Sequence, residues 1–186
     1  MTNLDAALDA VVAAVGGARR DGQHVMAQAV WDAIEGREHL VVQAGTGTGK
    51  SLAYLVPAIL RAGRGVGEHG QNRTVVATAT LALQRQLVDH DLPDAVAALA
   101  SHVESPVTFA VSKGRHNYVC LDKVRRDASA DDEEDLALFD SPSSRLGKQA
   151  KALRTWIDKT DTGDRDDYQK ELDPRLWRSV SVSGRE

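Results

Sequence analysis

Residues 44–51 read Ala44-Gly45-Thr46-Gly47-Thr48-Gly49-Lys50-Ser51, with three alternating glycines ahead of a lysine and a hydroxyl. This order of residue types suits one kind of chemistry, the holding of a polyphosphate. Glycines let backbone N–H groups turn inward around phosphate oxygens, and a following helix N-terminus favours the negative charge. Lys50 brings a mobile cation to the same oxygens, and the Ser51 hydroxyl is suited to Mg²⁺, which offsets charge during phosphoryl transfer. Lys50 and Ser51 are therefore the catalytic candidates, and residues 44–51 together the candidates for binding a nucleoside triphosphate and Mg²⁺. Ala44 stands where the strict pattern has glycine, which matters little if its backbone is ordinary. The competing reading is a glycine-rich turn with an exposed lysine.

A loop of this kind needs a strand before it and a helix after it. Three short apolar, β-branched runs read as buried parallel strands: residues 39–43, 74–78 and 107–111. Between them Leu4, Leu8, Val11, Val12 and Val15, then Met26, Ala29, Val30, Ala33 and Ile34, then Leu52, Leu55, Val56, Ile59 and Leu60 recur at helical spacing. Alternating strand and helix predicts an α/β fold, an incomplete doubly wound domain with a parallel sheet and flanking helices. Residues 62–72, with Gly63, Gly65, Gly67 and Gly70, read as a surface loop. Past residue 111 no further β-rich run occurs. Polar helical patterns take over, with loop signals at residues 141–144 and 160–163 and an acidic cluster from Asp127 to Asp140 that reads as a solvated helical face.

The 186 residues, 42% hydrophobic and 27% charged, have the profile of a soluble globular chain. No apolar run approaches the roughly 20 residues of a membrane span, so no membrane role and a cytoplasmic location are expected. A net charge of −4 does not by itself point to nucleic acid. The single cysteine, Cys120, excludes an internal disulfide and any cluster made only of this chain's thiols.

Several strings occur in the order found in the DinG group of superfamily 2 helicases, relatives of the XPD repair helicase. Arg20-Asp21-Gly22-Gln23-His24-Val25-Met26 resembles the R-x-x-Q-x-x-M segment that reads adenine in that family, in which Gln23 would make the site ATP-selective. Thr78-Ala79-Thr80-Leu81-Ala82-Leu83-Gln84-Arg85-Gln86-Leu87 resembles motif Ia, in which Thr80 and Gln84 would hold single-strand phosphates. Lys113-Gly114-Arg115-His116-Asn117-Tyr118-Val119-Cys120 resembles the K-G-R-x-N-Y-x-C segment, the most family-specific string present. There Lys113 and Arg115 would face the DNA backbone, and Cys120 would be the first of four ligands of a 4Fe-4S cluster.

Taken residue by residue, plainer readings stand beside these. Gln23 is a solvated residue near a helix start, Thr80 an N-cap, and Cys120 a small buried hydrophobe. Trp156, Tyr168 and Trp177 read as helix-packing aromatics before DNA-stacking ones.

The resemblance implies an N-terminal helix at residues 1–18, the first part of a RecA-like motor domain at 19–120, and the helical start of an iron-sulfur insertion at 121–186. It implies an ATP-dependent DNA helicase moving 5′ to 3′ on single-stranded DNA. The missing acidic strand end and second motor domain read as truncation, so the chain alone is expected not to unwind DNA. The alternatives are a noncatalytic nucleotide- or DNA-binding module, complete at this length, and a small-molecule kinase, which leaves the three flanking strings unexplained.

Overall fold

The computed structural model of the chain describes residues 3–65, 73–129 and 144–182. The chain divides into two compact units, residues 1–111 and 112–186.

The first unit is built on α1 (Leu4–Ala14), α2 (Asp21–Gly36), α3 (Lys50–Ala62) and α5 (Leu92–Ala98). Asn3 caps α1 by accepting the Ala6 N–H at 3.2 Å. The apolar spacing read in the sequence delivers Leu4, Leu8, Val11 and Val12 to the core, while Val15 lies past the helix end and is exposed. α3 packs against α1, α2 and α5, and Leu55, Val56, Ile59 and Leu60 are buried. Each such side chain contributes on the order of 1.5–3 kcal/mol when fully removed from water. α2 forms where its pattern predicts, yet its buried positions are Gln23, His24 and Ala27. Two of these three are polar, which the sequence reading did not anticipate.

α4 (Leu81–Gln86) runs through a π-helical turn (Leu87–Asp91) into α5. Pro93 explains the wide turn, because proline has no N–H for the Asp89 carbonyl and its ring crowds that carbonyl.

The expected parallel sheet requires correction. Among the described residues no strand is present, and residues 39–43, 74–78 and 107–111 carry no regular structure. Val41 is 96% and Val75 84% exposed, where buried strands were expected. An extended apolar run is buried only when hydrogen-bonded neighbours form a sheet that helices can cover. Here the helices bury their apolar faces on one another. The loop expected at residues 62–72 falls largely outside the described residues, as does most of the acidic cluster from Asp127 to Asp140.

The second unit contains α6 (Leu121–Ser129), α7 (Arg145–Ile157) and α8 (Pro174–Val180). Leu153, Ile157, Tyr168, Leu176, Trp177 and Val180 form its core. Trp156 and Tyr168 meet edge to face, centroids 5.3 Å apart, and Trp177 is 3% exposed, so these aromatics pack the helices together. Isolated antiparallel bridges join Tyr118 to Asp164 and Val119 to Ser181.

Asp173 caps α8 by accepting the Arg175 N–H at 2.8 Å, ahead of Pro174 in the first turn. The Arg175 side chain, and then its backbone N–H, lower the Asp173 carboxyl from 3.8 to about 2. A folded value below the unfolded one means that the cap's stabilisation is complete above the unfolded value and is lost as pH falls toward the folded one. A carboxyl-detected NMR titration should place the Asp173 midpoint near 2. A midpoint at the ordinary 3.8 would refute the cap.

Candidate nucleotide-binding site

Residues 44–51 form a turn that feeds directly into α3. Gly47 and Gly49 take φ of +75° and +82°, in the left-handed region that suits glycine. Gly49 is the N-cap of α3 and has no side chain to accept from the first-turn N–H groups, so these donors face the loop. The Thr48 hydroxyl donates to the Gly45 carbonyl at 2.9 Å and closes the turn. Lys50 Nζ donates to the Ala44 carbonyl at 3.1 Å and also to that of Gly45, so its ammonium lies across the loop. Thr46 is exposed at the tip, and Ser51 occupies the first turn of α3, half-buried.

Two side chains from the start of α2 hold this loop. Gln23, 4% exposed, donates its amide to the Gly49 carbonyl at 2.9 Å. Arg20 donates to the Gly47 carbonyl at 2.6 Å. The resemblance assigned Gln23 to adenine, whereas here its amide N–H is spent on the loop. Sequence reasoning missed the part played by Arg20, although the residue opens the quoted segment.

His24, the next residue after Gln23, is 7% exposed. Its Nδ1 donates to Asp5 at 2.8 Å. Nε2 lies 3.1 Å from Asp9, close enough for an ion pair but without hydrogen-bond alignment. Asp9 also accepts from Arg19 at 2.7 Å. The hydrogen bond from His24 holds the Asp5 carboxyl below its ordinary value.

The Thr80 hydroxyl accepts the Leu83 N–H at 3.3 Å as N-cap of α4, and Gln84 lies half-buried on the same helix. Thr80 thus stands at a helix start within the first unit, as expected, with its oxygen engaged locally.

In the second unit, the Lys113 ammonium is 2.5 Å from Asp164 and 2.8 Å from Asp166, with the side chain only 10% exposed. Burial lowers the Lys113 pKa, but hydrogen bonds to Asp164 and Asp166 outweigh it and the net shift is upward. The ammonium expected to face DNA is thus committed to an internal pair, while Arg115 is exposed in the following 3-10 turn. Tyr118 packs locally, its hydroxyl accepting the Lys113 N–H at 3.0 Å. The Trp177 indole donates to the His116 carbonyl at 2.7 Å. The aspartates carry no spacing signal that would have revealed them as partners of Lys113.

Cys120 is half-buried and free, and its N–H donates to the Val180 carbonyl at 2.7 Å. Among the described residues no group of three or more His, Cys, Asp or Glu side chains could hold a metal. Cys120 is the one thiol of the chain, a single ligand at most for a four-thiolate cluster.

Residues 24–105 match the DEAD/DEAH box helicase family. The match covers less than half of the chain and implies a RecA-like fold, although no strand is present among the described residues.

Within that class the similarity is to DinG-type proteins. Over 180 residues, 94% of the chain, it is 51% identical to ATP-dependent helicase DinG of Mycobacterium tuberculosis, and spans 26% of that relative. It is 38% identical over 145 residues to ATP-dependent DNA helicase YoaA of Escherichia coli, covering 78% of this chain and 20% of the relative. It is 32% identical over 146 residues to the 3'-5' exonuclease DinG of Bacillus subtilis, covering 78% of this chain and 14% of the relative. The chain therefore spans about a quarter or less of each of these relatives. No helix among the described residues is long and apolar enough to cross a membrane.

Proposed function

We propose that residues 44–51 bind the phosphates of Mg-ATP, and that the parent protein is an ATP-dependent DNA helicase of the DinG type. The observation that carries this reading is the loop itself, with positive-φ Gly47 and Gly49 and Lys50 lying across it at the start of α3. A Cβ at Gly49 would fill the cradle, meeting Gln23 Nε2 at 2.3 Å. Lys50 would neutralise β- and γ-phosphate charge, and the α3 N–H groups would bind the oxygens. Ser51 would hold Mg²⁺, which supplies charge neutralisation at the transferring phosphoryl group. The Gln23 amide, by exchanging its bond to Gly49 for one to adenine, would report that the base has bound.

DNA follows from the relatives' names and from the motif Ia and K-G-R-H-N-Y-V-C strings. Thr80, Gln84 and Arg115 are the proposed strand contacts. Single-stranded DNA as the track and 5′-to-3′ polarity rest on the resemblance alone. The largely exposed apolar runs at residues 39–43, 74–78 and 107–111 support a reading in which they pair as a parallel sheet in the longer proteins of this family. Residues 1–18, 19–120 and 121–186 would then be the N-terminal helix, the start of the first motor domain and the start of an insertion. Cys120 supplies one thiolate, so a 4Fe-4S cluster there would draw its other three ligands from outside the described residues.

Binding of a fluorescent methylanthraniloyl-ATP with Mg²⁺ tests the central claim. Lys50→Ala is expected to weaken it about tenfold or more, the value of a charge-assisted hydrogen bond. Equal affinity of the two chains would overturn the assignment. Steady ATP turnover by the 186-residue chain alone is not expected.

A further inference from the structure

The His24 cluster is not used by the reading above, yet it touches the loop's supports. α1 places Asp5 and Asp9 one turn apart on the same helix face, and both carboxylates meet His24 of α2, at 2.8 and 3.1 Å. Asp9 also takes Arg19, just before α2 begins. The start of α2 has no side-chain cap of its own, because Arg20 at the N-cap makes no capping bond. Its first turn therefore depends on lateral contacts, and that turn carries Arg20 and Gln23, which hold the Gly47 and Gly49 carbonyls. Gln23 and His24 both direct their backbone N–H groups to the Arg20 carbonyl, so the three side chains share one rigid turn. α1 itself is fixed, since Leu8 and Val11 are fully buried and α1 packs on α3, the helix that the loop enters. His24 is 7% exposed while Asp5 and Asp9 are 63% and 45% exposed, so the contact joins a buried ring to carboxylates at the surface of α1.

We infer that α1 is part of the nucleotide-binding machinery: Asp5, Asp9 and His24 are positioning residues that fix the turn through which Arg20 and Gln23 hold the phosphate loop. This rests on the reading of residues 44–51 as an ATP site. This contact is made before nucleotide arrives, so it sets how much ordering the ligand must impose.

The test compares the full chain with the isosteric Asp5→Asn/Asp9→Asn variant, reading the Gly47 and Gly49 amide resonances by NMR and the affinity for methylanthraniloyl-ATP with Mg²⁺. Displaced glycine resonances and about tenfold weaker binding are expected. Leu4→Ala trims the apolar face of α1 and leaves its charges, so it should lower the melting temperature while leaving resonances and affinity in place. Should the double variant not fold, Asp5→Ala alone removes the hydrogen bond to His24 and is read in the same way. Unmoved glycine resonances in the charge variants, or equal displacement in Leu4→Ala, would overturn the inference. If the parent chain and Lys50→Ala bind the probe equally, the ATP reading falls, and the resonances alone decide whether α1 positions the loop.

Discussion

Replacing Gly49 with alanine is expected to abolish tight nucleotide binding, with a loss of about a hundredfold, the scale of a 1 Å misplacement in a positioned site. Two causes act together. Gly49 has φ +82°, which costs an L-residue roughly 1–2 kcal/mol. The new Cβ would also stand 2.3 Å from Gln23 Nε2 and 2.8 Å from its Cδ, so the amide that holds the Gly49 carbonyl must leave. Gly47 separates these causes, since its φ is +75° but a Cβ there meets nothing within 4 Å. Gly47→Ala should therefore show the backbone cost alone, and titration of both variants with methylanthraniloyl-ATP measures the difference. Equal losses would show that the Gln23 contact does not matter.

Lys113→Met is expected to destabilise the second unit by about 1–3 kcal/mol, because it leaves two part-buried carboxylates without their shared cation. The side chains of Lys113 and Asp164 are 10% and 13% exposed, so water does little to screen the pair. Urea unfolding followed through Trp156 and Trp177 fluorescence reads the loss. Adding Asp164→Asn and Asp166→Asn to the same chain should recover much of it, since a buried charge set removed whole costs far less than one broken. The pKa of Lys113 is raised, so the stabilisation is present below the unfolded value and is lost only as pH rises through the folded one. The deficit should therefore be full at neutral pH and shrink only in strong alkali. An unchanged urea midpoint would show the pair to be idle.

Local order was legible in the sequence where one short segment carried all the information. Positive-φ glycines followed by a helix needed only residues 44–51, and the helical spacings of α1 and α3 marked the faces that became core. Interactions that join distant segments were not legible. Nothing in the spacing of Asp5, Asp9 and His24 says that they meet, and Lys113 pairs with residues some fifty positions away. The three apolar runs were read as buried strands because β-branched residues favour a pleated, covered surface. A run's burial depends on partners that its own sequence does not contain, and those runs lie largely exposed, with Val107 packed partly against the core. Gln23 was read by its type, and the structure added the carbonyl on which its amide rests.

The π turn at Leu87–Asp91 separates two surfaces that a regular helix would have tied together. Successive residues of an α-helix advance by about 100°, so one extra residue in a turn rotates everything beyond it by about that much. α4 buries none of its residues, while Ala95 of α5 and Leu99 just beyond it are wholly buried. The motif-bearing end thus keeps its own phase, free to vary its outward side chains, while the far end stays meshed with the core like a gear on a separate spindle.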